Sequence, residues 1–230
     1  MTTRPIIVID IETLPCDNPD QIQYLLASVK PDSRLKDPAK IDADIAEKRT
    51  EVIGKTGLDG GFGRILCASA SVVFGDNEHI ATFASPVVDE TSTLIGLLEY
   101  IEQVANSCGA GRYSAPIYVG HNLSFDLRFI AQRCVVNGVK FKKSMLPFDA
   151  KAWSEDAIDT MQVWAGFGNR ITLDKLCVAL GVPSPKGDID GSKVAQAFAD
   201  GRFAEIVEYN RNDVTATKAC FRAMQKGGMV

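Results

Sequence analysis

Apolar residues along this chain switch repeatedly between a strand-like and a helix-like spacing, and that interleaving predicts an α/β protein. Residues 5–11 (PIIVIDI) are short, β-branched and continuous, as a buried strand is. Ile65–Phe74 predicts a second strand and Ile80–Ala84 a third, joined by Gly75-Asp76-Asn77 as a hairpin turn. Ile117–Val119 and Ala157–Met161 are two shorter strand-like runs. In Thr91–Asn106 the residues Leu94, Leu97, Leu98, Ile101 and Val104 fall on one helical face. Leu123–Asn137 repeats the pattern with Leu123, Leu127, Ile130 and Cys134, and Asn137-Gly138 stops it. Leu173–Leu180 predicts a helix stopped by Gly181 and Pro183, followed by helices over Ser192–Ala199 and Ala204–Gln225.

Two stretches depart from this rhythm. Cys16 to Gly63 is polar, with helix-like pieces at Gln21–Val29 and Ala39–Ile53, and it ends in a loop marked by Gly57, Gly60, Gly61 and Gly63. Residues 139–157 look irregular. There is no repeat, low-complexity tract or long linker, and 230 residues suit one substantial domain. The expectation is a single domain over 1–230 with an insertion at about 17–60.

Composition narrows the function classes. A hydrophobic content of 46% supports a real core. A net charge of −4 argues against a basic coat that binds nucleic acid everywhere. It leaves room for a nucleic-acid enzyme, because bound divalent metals reverse the field of an acidic site. The six cysteines form no C-x-x-C pair and only two histidines are present, so free buried thiols are expected rather than a zinc cluster. The run Ile6–Ile9 is too short for a secretory signal, and nothing approaches the roughly 20 apolar residues of a membrane span. The expected compartment is therefore the reducing cytoplasm, with no membrane partner.

Four carboxylates carry the chemistry: Asp10 and Glu12 in VIDIETLP, Asp126 in GHNLSFD, and Asp213 in YNRNDVTAT. Asp10 and Glu12 are two apart on a strand, so both point one way. They sit near its C-terminal end, where open α/β sheets bind ligands. A carboxylate in an apolar strand is costly unless paired or metal-bound, although one of the two could simply cap a loop. Asn122 and Asp126 share a face at a helix start, where Asn122 could equally be an N-cap. His121 beside them reads as structural or catalytic. Tyr209 and Asp213 repeat the spacing, and Val207, Val214 and Phe221 mark the buried side of their helix. Gathered at one point, four carboxylates repel one another unless cations lie between them, and oxygen-only sites suit Mg²⁺ or Mn²⁺.

In order and context the three motifs resemble the DEDD family of 3′–5′ exonucleases, in the variant with tyrosine in the third motif. The resemblance covers 6–14, 119–127 and 206–217. The stretches AEKRTEVIGKTGLDGGFGRILC (46–67) and LGVPSPKGDIDGSKV (180–194) further resemble bacterial and phage exonucleases related to the exonuclease domain of family B DNA polymerases.

The resemblance implies an RNase H-like fold, a mixed five-stranded sheet with helices on both faces. It implies two divalent cations: Asp10 bridging both, Glu12 and Asp213 on the first, and Asp126 on the second through water. Tyr209 would orient the attacking water, since a phenol of pKa near 10 is a poor base at neutral pH. Thr13 would bond the terminal 3′ hydroxyl, Leu14 pack on the last base and Asn122 contact the terminal sugar. Phe125 offers a stacking surface or a core side chain. Lys140, Lys142 and Lys143 suit either phosphates or solvent, as does Lys186. The segment 17–60 exceeds what a minimal exonuclease needs, and 39–63 is expected to border the DNA channel.

The implied activity is release of nucleoside 5′-monophosphates from the 3′ ends of single-stranded DNA, with a polymerase or other replication partner in proofreading or repair. Two competitors remain: a 3′–5′ exoribonuclease on the same fold, and a non-catalytic nucleic-acid-binding or polymerase accessory subunit. Loss of a metal carboxylate would signal the latter, and all four are present. A phosphate-cradling G-x-x-x-x-G-K-[ST] loop is missing.

Overall fold

In a computed structural model, which describes residues 4–73, 79–85, 89–107, 115–151, 154–185 and 187–230, strands and helices alternate as the spacing predicts. The elements in chain order are β1 (Ile6–Leu14), α1 (Pro19–Leu26), α2 (Pro38–Lys55), β2 (Arg64–Val72), β3 (Ala81–Ala84), α3 (Glu90–Ser107) and β4 (Ile117–Gly120). They continue with α4 (Leu123–Val136), β5 (Ala157–Asp159), α5 (Thr160–Ala165), α6 (Leu173–Leu180), α7 (Val194–Ala199) and α8 (Phe203–Lys226). The expected Gly75-Asp76-Asn77 turn, Cys108 and Lys186 lie outside the described residues.

The sheet order is β3-β2-β1-β4-β5. β1 runs antiparallel to β2, and β2 to β3, while β4 and β5 lie parallel on the other side of β1. This is the mixed five-stranded, RNase H-like sheet. β1 is central because it is apolar on both faces. Ile7, Ile9 and Ile11 point to one side, into a cluster with Leu94, Leu97 and Ile101 of α3 and Leu127 and Ile130 of α4. Val8 points to the other, where it meets Val119, Val214 and Phe221. Leu14 continues that second face beneath Val194 and Ile206, so α7 and α8 cover it.

Two expectations need adjusting. β1 extends to Leu14, past the predicted end at residue 11, because a register shift between Glu12 and Thr13 lets it keep pairing with β2. The fifth strand stops at Asp159 instead of Met161. There Asp159 turns its side chain onto the N–H groups of Met161 and Gln162 and caps α5.

The segment that leads into β2 is tied to the end of β1. The Thr13 hydroxyl donates to the Gly57 carbonyl at 2.6 Å, and the Cys16 N–H to Thr56 Oγ1 at 2.7 Å. A side chain at Gly63 would run into the Thr56 carbonyl and lie 3.1 Å from the Leu14 carbonyl, so the close approach of this loop requires glycine. Farther out, α1 and α2 carry no buried residue. A buried pair anchors the loop's other side: Glu90 accepts from Arg133 at 2.7 and 2.8 Å and from the Ile65 N–H at 2.6 Å, while Arg133 also donates to the Gly60 carbonyl.

Candidate active site

Asp10 and Glu12 occupy the even positions of β1 between Val8 and Leu14, and so face α8. The α8 stripe against the sheet is Ile206, Asn210, Val214, Thr217 and Phe221, all buried. Asp213 sits beside Val214 on that stripe. One oxygen each of Asp10, Glu12 and Asp213 lies within 4.8 Å of the others, the spacing of a cation site. Asp126 does not join this tight triad. It is 4% exposed in the first turn of α4 and takes hydrogen bonds from the backbone of Ile11, on the edge of β1 that β4 leaves uncovered. Its charge still reaches Asp10 and Glu12, so all four carboxylates feel one another.

The electrostatics follow from burial. Desolvation, reinforced by neighbouring carboxylates, pushes Asp10 and Glu12 well above the ordinary carboxylate range. Asp126 is raised in the same way, first by burial and then by the charge of Asp159. Burial pushes Asp213 up to about 6, against a hydrogen bond from the Tyr209 hydroxyl that pulls it down. Tyr209 itself is raised, by burial and then by Asp213, Glu12 and Asp10, so its phenol stays protonated. The cluster favours either protons or cations. Three convergent hard oxygen donors, one of them with a buried Oδ1 (Asp213) that has no donor among the described residues, fit a divalent cation of the Mg²⁺ or Mn²⁺ type.

Asn210 is a residue of this site that the sequence reading did not single out. It is fully buried and donates from Nδ2 to Asp10 Oδ2 at 2.6 Å. The available signal was a polar residue in an apolar stripe, four positions after Ile206 and four before Val214. Asp159 is another. It ends the short strand AID much as Asp10 interrupts β1, and its Oδ1 accepts the Asn122 N–H at 3.0 Å.

The residues expected to face substrate lie at the end of β1 and the start of α4. Asn122 precedes α4 in the N-cap position, yet makes no side-chain cap bond. Its φ of 69° is the only left-handed value of a non-glycine among the described residues. Such a conformation is found where surrounding structure over-determines it, commonly at functional sites. Thr13 spends its hydroxyl proton on Gly57, which leaves its oxygen as an acceptor. Leu14 is 2% exposed, closed in by α7 and α8, and so forms wall rather than free surface. Phe125 is half-buried and tilted against Phe129 at 5.4 Å between ring centres.

The open question over His121 resolves as structural: its Nδ1 pairs with Thr160 Oγ1 at 3.0 Å and its Nε2 with the Ile171 carbonyl at 2.8 Å. Lys142 and Lys143 are exposed and paired with Glu102 and Asp149. No described helix is long and apolar enough to cross a membrane.

The chain was compared with known proteins. No curated protein gives a significant match. Among solved structures, the family B DNA polymerase of the hyperthermophilic archaeon Pyrobaculum calidifontis is similar, with a TM-score of 0.63 and 15% sequence identity. The match covers 98% of this chain and 25% of the polymerase, so the chain spans about a quarter of that protein and shares its fold there. A family described as a predicted 3′–5′ exonuclease related to the exonuclease domain of PolB matches residues 99–227, which hold Asn122, Asp126, Tyr209 and Asp213. With more than half its length matched, the chain belongs to this family of predicted 3′–5′ exonucleases.

Proposed function

We propose that the protein removes nucleotides one at a time from the 3′ end of single-stranded DNA, releasing nucleoside 5′-monophosphates. The observation that carries this is the convergence of Asp10, Glu12 and Asp213 within 4.8 Å, with Asp126 alongside. Asp10, Glu12 and Asp213 would hold one divalent cation, Mg²⁺ or Mn²⁺, and Asp126 would share a second with Asp10. Bound there, such cations supply positive charge to the phosphate and make a coordinated water more acidic.

In the reaction a water oxygen bonds to the terminal phosphorus while the bond from phosphorus to the preceding 3′ oxygen breaks. A water proton is lost, and the leaving oxygen ends as the new 3′ hydroxyl. Tyr209, kept as a neutral phenol, orients the water through its hydroxyl instead of removing its proton. Asn122 holds the terminal sugar and Phe125 offers its ring edge to a base. Thr13 accepts a hydrogen bond from the 3′ hydroxyl, and Leu14 backs the last base. Asn210 fixes the carboxylate of Asp10.

The unit of function is one domain over 1–230, with 17–60 as an insertion whose 39–63 portion borders the strand. A polymerase or replication assembly in the cytoplasm is the setting this reading favours. The test uses single strands of DNA and RNA of one sequence, 5′-labelled, with Mg²⁺ or Mn²⁺. Stepwise shortening of DNA with 5′-monophosphate products supports the proposal. Faster shortening of RNA than of DNA would replace it with the exoribonuclease.

A further inference from the structure

We infer that a cavity on the far side of the first α4 turn is a nucleobase subsite for the substrate strand, selective for bases that carry an exocyclic amino group. The inference rests on the exonuclease reading above and adds a specificity to it. The cavity measures about 190 Å³ and is lined by Ser124 and Leu127 of α4, Phe148, Asp159, Gln162 and Phe167, with Lys151 at its edge.

Its chemistry is set by two oxygens. Asp159 is 6% exposed. Its Oδ1 is fully used by the N–H groups of Asn122, Met161 and Gln162. Its Oδ2 is buried with no donor among the described residues, and the same holds for Gln162 Oε1. Buried acceptors are expensive to leave unpaired, and a donor that enters the cavity lined by Asp159 and Gln162 could meet both. The amino group of adenine, cytosine or guanine carries two hydrogens and can serve both. Thymine and uracil lack that amino group and offer a single ring N–H flanked by two carbonyl oxygens, which these acceptors repel. Phe148 and Phe167 add aromatic surface suited to a flat base, and the exposed Lys151 a cation for its phosphate.

Position ties the cavity to the strand. Ser124 lies between Asn122 and Asp126 in one helical turn, and the Asp159 charge is the largest charge influence on Asp126. A strand whose 3′ nucleotide is held at Asn122 therefore brings a neighbouring base to the same turn.

The experiment measures binding of short dC, dA and dT oligomers, and of free dCMP, to the intact protein in EDTA, where nothing is hydrolysed. Alongside runs Gln162→Leu, which keeps the side-chain bulk and leaves the Asp159 cap in place. The expected result is that dC and dA oligomers bind about three- to tenfold more tightly than dT, the worth of one hydrogen bond. Gln162→Leu should remove the preference without lowering the melting temperature. Equal binding of all oligomers, or a preference that survives Gln162→Leu, would mean the oxygens are met by water alone and would overturn the subsite. Free dCMP binding as tightly as the oligomer would make the cavity a product site and overturn the assignment to the strand. Hydrolysis with Mg²⁺ is scored separately: intact hydrolysis without base preference removes only the subsite, whereas no hydrolysis of any strand removes the exonuclease reading.

Discussion

Asn210 donates to Asp10 from a fully buried position, so it decides which Asp10 oxygen is free to face a cation and how firmly it is held. Groups that orient metal ligands in this way are commonly worth about 10- to 100-fold in metal affinity. Asn210→Ala is expected to weaken Mn²⁺ binding by that factor, measured by electron paramagnetic resonance of free Mn²⁺. An unchanged affinity would make Asn210 a packing residue only. Tyr209 hydrogen-bonds to Asp213, but in the proposed reaction its hydroxyl orients the attacking water, so its loss is expected to show in the chemical step. Tyr209→Phe should slow single-turnover cleavage by about 10- to 100-fold, as loss of one bond to a charged group does, and leave Mn²⁺ affinity within about twofold. At this scale the sequence was informative wherever a polar residue broke an apolar pattern. Asp10 and Glu12 stand out in β1 by that test, and Asn210 in the α8 stripe passes the same test inside the third motif, where Tyr209 and Asp213 drew the attention instead. Asp126 shows the limit: its spacing from Asn122 placed it on α4, but not its bond to the Ile11 backbone, which depends on β4 ending short of β1.

The helices and strands were legible where the apolar period was long. α6 matches its predicted bounds, and α8 spans Phe203–Lys226 against an expected Ala204–Gln225. α5 was not foreseen, because TMQVWA is too short to show a helical period and follows a strand without a break. The extension of β1 to Leu14 depends on the β2 register shift, a tertiary event with no local signature. Also hidden was the way the segment before β2 is fastened, since Glu90, Arg133 and the Gly60 carbonyl are far apart in the chain. That pair carries a prediction. Glu90→Leu leaves Arg133 buried without its carboxylate, and removing one partner of such a pair costs about 3–5 kcal/mol. Urea unfolding should show a loss of that size, whereas a loss below about 1 kcal/mol would place the pair in effective contact with water. The exposed helices α1 and α2 should matter less for stability than for substrate. Replacing 39–53 with a short flexible linker is expected to raise KM for single-stranded DNA with little change in melting temperature. An unchanged KM would remove this segment from the channel.

As a whole, the molecule concentrates unfavourable charge at one end of a well-packed sheet, and this links stability to pH and metal. Asp213 is pushed up to about 6 in the folded chain, against about 3.9 for an ordinary aspartate. The folded state therefore binds the proton more tightly than the unfolded state. Its contribution is present below pH 4 and is lost as pH rises through 6. Without metal, wild type should lose stability relative to Asp213→Asn across that window, read as a falling difference in melting temperature. Mg²⁺ should restore wild type at pH 7.5 and do little at pH 5, because cations bind the deprotonated carboxylates. On the proposed function, the same concentration of charge would let a chain of net charge −4 take a polyanion, since cations that settle the carboxylates would also attract phosphate.

On the proposed function, these four carboxylates form a cation-dependent site that shortens strands from the 3′ end. The most direct measurement follows a 5′-labelled single-stranded DNA with Mg²⁺, using wild type and Asp213→Asn, each checked for folding by circular dichroism. The expected result is a ladder that shortens one nucleotide at a time, vanishes with EDTA, and falls by about a hundred- to a thousandfold in the folded variant, where the proposed cation loses one of its ligands. Internal cuts, cleavage that persists in EDTA, or a folded Asp213→Asn protein as active as wild type would contradict it.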